Sequence, residues 1–340
     1  MKPRVGIVLG DPCGIGPEVV AKLVSMEEIR ERAAIAVVAD AAVFAQGCEV
    51  AGVDPRCERV ADPDEIAGAG DAPGLVQAGI SPGNPYEPGQ ATAAGGRYVL
   101  ESLRAGLGFL QAGRIDSLCY APLNKEAMGL AGSPFADEMQ WIVNEIGYTG
   151  PYCDCTVLDD LWTARVTSHV PIEAVAGHIT VDRVVEVARL IDDLLRRAGI
   201  ERPRIAISAL NPHAGDGGLI GRTEIEVLTP AVERLRGELS SVEGPFPPDT
   251  VFVHGRGGAF DAVVTMYHDQ GQIALKLLGF GRAISVIAGP DIAVATPAQG
   301  TAFDIVGQGV AKPDGMVAAF EVARRMGAAR RERRQTEAAD

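Results

Sequence analysis

The sequence predicts an α/β sandwich with a substantially parallel sheet, shared between two lobes. Three observations carry that prediction: short β-branched runs alternate with helical patterns, glycines and prolines stand at the joints, and 340 residues that are 47% hydrophobic can fill two cores. RVGIVLGD near the N-terminus reads as the first strand. It leads into GIGPEVVAKLV, where the glycines suit a tight turn and Pro17 suits a first helical position. Thr92 to Leu110 carries a helical pattern, and SLCYAP after it reads as a buried strand. Thr180 is placed to cap TVDRVVEVARLIDDLLRRAG. There, apolar positions 181, 184, 185, 188, 191 and 195 share one face and Gly199 stops the helix. RIAISALN, TVFV, DAVVTMYH and AISVIAG are further strand candidates. No repeat or Pro/Ser linker marks a boundary, so the lobes are expected to be interwoven rather than strung in series. The tail RRMGAARRERRQTEAAD reads as a solvated helix end.

Charge and composition narrow the partners. A formal charge of -14 disfavours nucleic acid and anionic membrane. No apolar run approaches the roughly 20 residues of a membrane span, and MKPRVGIVLGD lacks the apolar core of a secretory signal, so the protein is expected to be cytoplasmic. Disulfides are not expected there. The six cysteines have no repeated spacing, and the C-x-C of Cys153 and Cys155 reads as packing.

The histidines are more informative. There are five, and His169 in RVTSHVP, His213 in AISALNPHAG and His268 in AVVTMYHDQG each follow an apolar β-type run. Each should emerge at the carboxyl end of a strand, the edge where open α/β sheets bind ligands. Converging there, three imidazoles could hold one divalent cation and leave positions open for substrate. The plainer alternative is three unrelated turn histidines. His178 and His254 lack the strand-end setting and read as structural or solvent-facing.

Among the glycine-rich stretches, GDPCGIGPE has strand-turn-helix context but fails the G-x-G-x-x-G fingerprint. QGTAFDIVGQGVAKP, residues 299 to 313, makes a compact loop of glycines, a hydroxyl and an aspartate, and is either a plain turn or a binding loop.

In order along the chain, GDPCGIGPE, APLNKEAM, TSHVP, NPHAGDGGLIGRTE, GPFPPDTVF, MYHDQGQIALKLLGFGR and GTAFDIVGQG resemble the landmarks of the 4-hydroxythreonine-4-phosphate dehydrogenase family. The loop QGTAFDIVGQG is also similar to the adenine-side loop of isocitrate and isopropylmalate dehydrogenases. The resemblance implies a two-lobed α/β/α sandwich of that type, with the active site in the cleft between lobes and at a dimer interface. It implies a first lobe of residues 1–125 plus 275–340 and a second of 126–274. It further implies a homodimer with shared active sites. NAD would be bound around Gly300, Thr301, Ala302, Asp304 and Gly307. One divalent ion, zinc or else cobalt, manganese, nickel or magnesium, would be held by His169, His213 and His268 drawn from both subunits. Asp249 matches an acidic position near that site, Lys276 matches a lysine that contacts substrate, and Lys125 is a further pocket candidate. The cation would lower the pKa of the substrate hydroxyl and stabilise the oxygen anion that develops on decarboxylation.

Departures from the family pattern bear on the substrate. The block that contacts the substrate phosphate falls on Asp137, Glu138, Met139 and Gln140, and two further contact positions fall on Ser285 and Val294. A carboxylate replacing phosphate donors should weaken binding of a dianion. The expected substrate is therefore a small, non-phosphorylated hydroxy acid, such as a carboxylated cis-dihydrodiol, oxidised at a secondary alcohol with decarboxylation. The alternative is 4-hydroxythreonine-4-phosphate in pyridoxal phosphate biosynthesis. Alternatives of another class are a metal-dependent hydrolase or lyase and a metabolite-binding protein.

Overall fold

A computed structural model describes residues 2–68, 72–77, 86–279 and 281–337. Its strands among the described residues are β1 (Arg4–Val8), β2 (Ala34–Val38), β3 (Glu58–Val60), β4 (Gly74–Val76), β5 (Ser117–Tyr120), β6 (Cys153–Leu158), β7 (Leu161–Arg165), β8 (Arg204–Ser208), β9 (Ser241–Phe246), β10 (Ala262–Thr265), β11 (Ile284–Ala288) and β12 (Val294–Pro297). The chain divides into two compact units, one of residues 1–149 with 291–340 and one of 150–290. The first unit is discontinuous and encloses the second in sequence. Local contacts fix the joints. Arg104 on the helix Ala93–Gln111 forks onto Glu145 at 2.6 and 3.0 Å, tying the segment before residue 149 to the first unit. β11 pairs antiparallel with β6, Ile284 opposite Val157 and Ala288 opposite Cys153, which holds 284–288 in the second.

In the first unit the strand order is β3-β4-β2-β1-β5-β12 and every neighbouring pair is parallel. Such strands are covered on both faces and read as continuous apolar runs. Val5, Ile7, Val8, Leu118 and Cys119 are all fully buried. Leu103, Leu107 and Leu110 of the helix Ala93–Gln111 pack as one stripe, each contributing about 2 kcal/mol. That helix starts where the sequence places it, with Thr92 accepting from Gly95 N–H through its side chain.

In the second unit the order is β11-β6-β7-β10-β8-β9. β7, β10, β8 and β9 run parallel to one another, and β6 runs against both its neighbours. The helix Val181–Arg197 forms as predicted. Thr180 accepts from Arg183 N–H at 3.2 Å, positions 184, 185, 188, 191 and 195 are buried, and Gly199 takes φ 92°. TVFV is a correction, because it lies in the turn and helix Val251–Arg256 rather than in a strand. Val251 and Phe252 pack against Leu158, Leu161, Val263 and Leu275 while Val253 is 69% exposed. A four-residue apolar run has no period that separates the two structures. No helix among the described residues is long and apolar enough to cross a membrane.

Candidate active site

The second unit brings the histidine-bearing strands side by side. β7, β10 and β8 are adjacent and parallel, with Thr265 opposite Arg165 and Val264 opposite Ile207. His169, His268 and His213 therefore all follow the same carboxyl edge. Asp249 follows β9, the next strand along that edge, and is exposed. The rings of His169 and His268 face each other with centroids 5.6 Å apart. His268 begins the helix His268–Gly279, and its Nδ1 lies 2.7 Å from Asp269 Oδ1. Nδ1–H donates to that carboxylate in the neutral ring, which leaves the Nε2 lone pair free, the arrangement expected of a metal-binding imidazole. Lys276 lies further along the same helix, exposed and without an ion-pair partner among the described residues.

His213 sits in an unusual backbone segment. Residues 213 to 217 all have positive φ, at 53, 53, 79, 44 and 66°. Glu224 holds the start of this loop: Oε1 accepts from Leu210 N–H at 2.9 Å and Asn211 N–H at 2.8 Å, and Oε2 from Asn211 Nδ2 at 2.9 Å. Burial alone would raise the Glu224 pKa, but these hydrogen bonds outweigh it and hold the carboxyl below its ordinary range. Glu224 was not singled out from the sequence. The signal was there as the acidic residue closing NPHAGDGGLIGRTE, but its partners lie 13 and 14 residues back. Among the described residues of one chain, no three His, Cys, Asp or Glu side chains converge closely enough to hold an ion. The donors themselves, the exposed imidazoles of His169 and His213 and the half-buried one of His268 with its Nδ1 held by Asp269, suit a divalent transition metal.

The first unit has a polar edge of its own. β1, β5 and β12 are parallel neighbours, so the loops after Val8, Tyr120 and Pro297 share one side. The expected cofactor loop runs here. Thr301 is 7% exposed and its carbonyl accepts from Ile15 N–H at 3.1 Å. A Cβ on Gly14 would lie 2.8 Å from Thr301 Cβ, so only glycine allows this approach. Ala302 takes a left-handed φ of 45° and Gly307 one of 78°, while Gly300, Asp304 and Gly307 are exposed. Lys22 Nζ fastens the far end, donating to Gly309 O and Ala311 O, both at 2.8 Å, and to Glu18 Oε1 at 2.7 Å.

Lys125 and Glu138, each the first residue of a helix, pair at 3.4 Å. Glu138 Oε2 is buried and has no hydrogen bond, so the contact is an ion pair without good donor geometry. Ser285 lies on β11 opposite Thr156, in the second unit. Met139 and Val294, expected at the substrate, are only 7% and 2% exposed; Met139 lies on the buried face of its helix and Val294 pairs with Leu118 inside the sheet. Burial pushes the thiols of Cys13 and Cys48 up to about 11 and that of Cys57 to about 12, so none of these is a thiolate nucleophile near neutral pH.

Comparison with known proteins follows the same lines. The profile of a family described as pyridoxal phosphate biosynthetic protein PdxA matches residues 31–323. A Pseudomonas aeruginosa protein provisionally named 4-hydroxythreonine-4-phosphate dehydrogenase 2 is 48% identical over 328 residues, 96% of this chain and 97% of its own. D-threonate 4-phosphate dehydrogenase of Salmonella typhimurium is 34% identical, with 94% of this chain and 97% of its own covered. The crystal structure of 4-hydroxythreonine-4-phosphate dehydrogenase from Klebsiella pneumoniae superposes with a TM-score of 0.85 at 31% identity, covering 96% of this chain and 98% of that one. Terephthalate 1,2-cis-dihydrodiol dehydrogenase from Burkholderia xenovorans gives 0.68 at 25% identity over the same shares.

Proposed function

The chain belongs to the PdxA family, and from that premise we propose that it is an NAD-linked, divalent-metal-dependent dehydrogenase acting on a phosphorylated hydroxy acid. The observation that carries the reading is the shared strand edge that gathers His169, His213, His268 and Asp249. The expectation of a non-phosphorylated substrate yields to its alternative. The relatives named for 4-phosphate substrates match at 48% and 34% identity, against 25% for the dihydrodiol enzyme.

Each named residue has a task in this scheme. His169, His213 and His268 would hold the metal, with a second copy of the chain completing the set. Ile172, Leu219, Val253 and Leu277 of the second unit are between 69% and 87% accessible, apolar area that a second copy would cover. The bound cation would acidify the substrate hydroxyl and stabilise negative charge on its oxygen. The 300–307 loop would hold NAD, which when bound would supply the hydride acceptor for oxidation of the alcohol carbon. The resulting β-keto acid loses carbon dioxide, and the electron pair of the broken C–C bond passes toward the ketone oxygen. Lys276 and Asp249 handle the proton that leaves the hydroxyl and the one returned to carbon. Lys125, 55% exposed and only loosely paired, can turn from Glu138 to a phosphate.

One observation favours a second reading. Glu138 is 13% exposed with an unbonded carboxylate oxygen, at the position where the resemblance anticipates phosphate donors. That suits a substrate with hydroxyl groups at its far end, as in a carboxylated cis-dihydrodiol. Turnover of 4-hydroxythreonine-4-phosphate, D-threonate 4-phosphate and terephthalate cis-dihydrodiol, each with NAD and added metal, separates the two. Turnover of the dihydrodiol alone would refute the phosphorylated substrate. Absence of NAD binding in the presence of metal would refute the dehydrogenase.

A further inference from the structure

The loops that carry the three histidines are laced together by side chains that have no part in the scheme above. Thr167 precedes His169 by two residues, and both its N–H (3.1 Å) and its hydroxyl (2.8 Å) donate to Met266 O. Met266 precedes His268 by two residues. Gln270, just past His268, accepts from Met266 N–H at 2.7 Å through Oε1 and donates through Nε2 to Ala209 O at 2.8 Å. Ala209 leads directly into Leu210 and Asn211, the two residues gripped by Glu224 ahead of His213.

These links take over where the sheet stops. The last ladder pairs on β10 are Thr265 with Arg165 and Val264 with Ile207; past them, the backbone bonds from Val166 N–H to Thr265 O (2.8 Å) and from Thr167 N–H to Met266 O (3.1 Å) carry the β7–β10 pairing two residues further, and side chains make the remaining links. Thr167 is 6% exposed and Glu224 3%, and Met266 and Ala209 are fully buried. Water cannot readily replace hydrogen bonds made there, and bonds in such a chain reinforce one another.

We propose that Gln270, together with Thr167 and Glu224, forms a strap that sets the positions of the histidine loops that one chain contributes before metal arrives, which makes all three positioning residues of the metal site. The inference rests on the metal reading given under Proposed function. Placement within about 0.5 Å is what distinguishes a competent site from a loose one, and partners behind metal ligands typically change affinity by about 10–100-fold.

Cobalt(II) titration of metal-stripped wild type, Gln270→Glu and Thr167→Val tests it, reading the visible absorption of bound cobalt and the melting temperature with and without metal. Gln270→Glu keeps the shape but turns the donor facing Ala209 O into an acceptor. Thr167→Val removes a hydroxyl at constant volume. Both variants should still unfold cooperatively without metal, at a lowered melting temperature for Gln270→Glu, bind cobalt about tenfold more weakly or worse, and show an altered absorption band. Wild-type affinity in either folded variant overturns the strap, and Thr167→Val decides alone if Gln270→Glu does not fold. Wild type that takes up no cobalt overturns the metal reading, and this inference with it, so the two failures are distinguishable.

Discussion

Replacing Lys22 by methionine should loosen the loop assigned to NAD, and the structure sets the size of the effect. The ammonium donates to Gly309 O and Ala311 O at 2.8 Å and to Glu18 Oε1 at 2.7 Å. Glu18 is 3% exposed, and the same oxygen accepts from Ala311 N–H at 2.9 Å. Methionine keeps most of the stem and loses the charge. Two carbonyls lose a charged donor, at about 1.5–3 kcal/mol each. Glu18 becomes a buried charge without its counter-ion, a kind of change that costs about 3–5 kcal/mol. The contributions overlap, and Lys22 is itself 19% exposed, so water recovers part of the loss. A net of about 3 kcal/mol is expected. With about half of that falling on the closed loop, and 1.4 kcal/mol equal to tenfold, NAD should dissociate about tenfold more readily. NADH fluorescence titrations and thermal melts of Lys22→Met, Glu18→Gln and the double variant measure this, and the double variant should recover part of the stability because no orphan charge remains. Cobalt uptake by the second unit is the internal control. Wild-type NAD affinity in a Lys22→Met protein with a lowered melting point would refute the assignment of the loop. An unchanged melting point would refute the clamp.

Two further outcomes are expected. Gly96→Ala places a Cβ 1.9 Å from Ala127 O, so the helix Ala93–Gln111 must move off the helix Lys125–Leu130; a loss of about 3 kcal/mol, read from urea unfolding, is expected, and wild-type stability would show that the two helices are not in this contact. Glu224 has a folded pKa below its unfolded value, so its stabilisation is present at neutral pH and is lost as pH falls through the carboxylate range toward the folded pKa. Melting temperature followed from neutral to acid pH should therefore fall less steeply in Glu224→Gln than in wild type, and parallel curves would show that the carboxylate is not held this way.

Much of the architecture could be read in advance because its signals are local. The cap at Thr180, the stripe of 184, 185, 188, 191 and 195, and the stop at Gly199 lie within one helix and its flanks, and all appear in the structure. The three histidines were legible for a similar reason, since each follows its own apolar strand and parallel strands present their carboxyl ends together. What escaped depends on contacts between distant segments. Gln270 looks like any polar residue until Met266 and Ala209 flank it, and Glu224 until Leu210 and Asn211 do. The joints between units are equally hard to read, because the pairing of β11 with β6 joins residues some 130 apart. Val294 and Met139 show what motif position leaves out: both are buried, Met139 at 7% and Val294 at 2% exposed, and their burial depends on packing that no local pattern announces.

The run of positive φ from His213 to Asp216 and Gly217 has a practical meaning for the enzyme in a test tube. Non-glycine residues dislike this hand by roughly 1–2 kcal/mol each, and three of the five are His213, Ala214 and Asp216. The segment therefore keeps its form only while its surroundings insist on it. Under mild warming or ageing it should relax to ordinary backbone well before the sheet melts. Preparations could then become inert while their circular dichroism stays native, and formulation effort belongs at the Glu224 anchor rather than in the hydrophobic core.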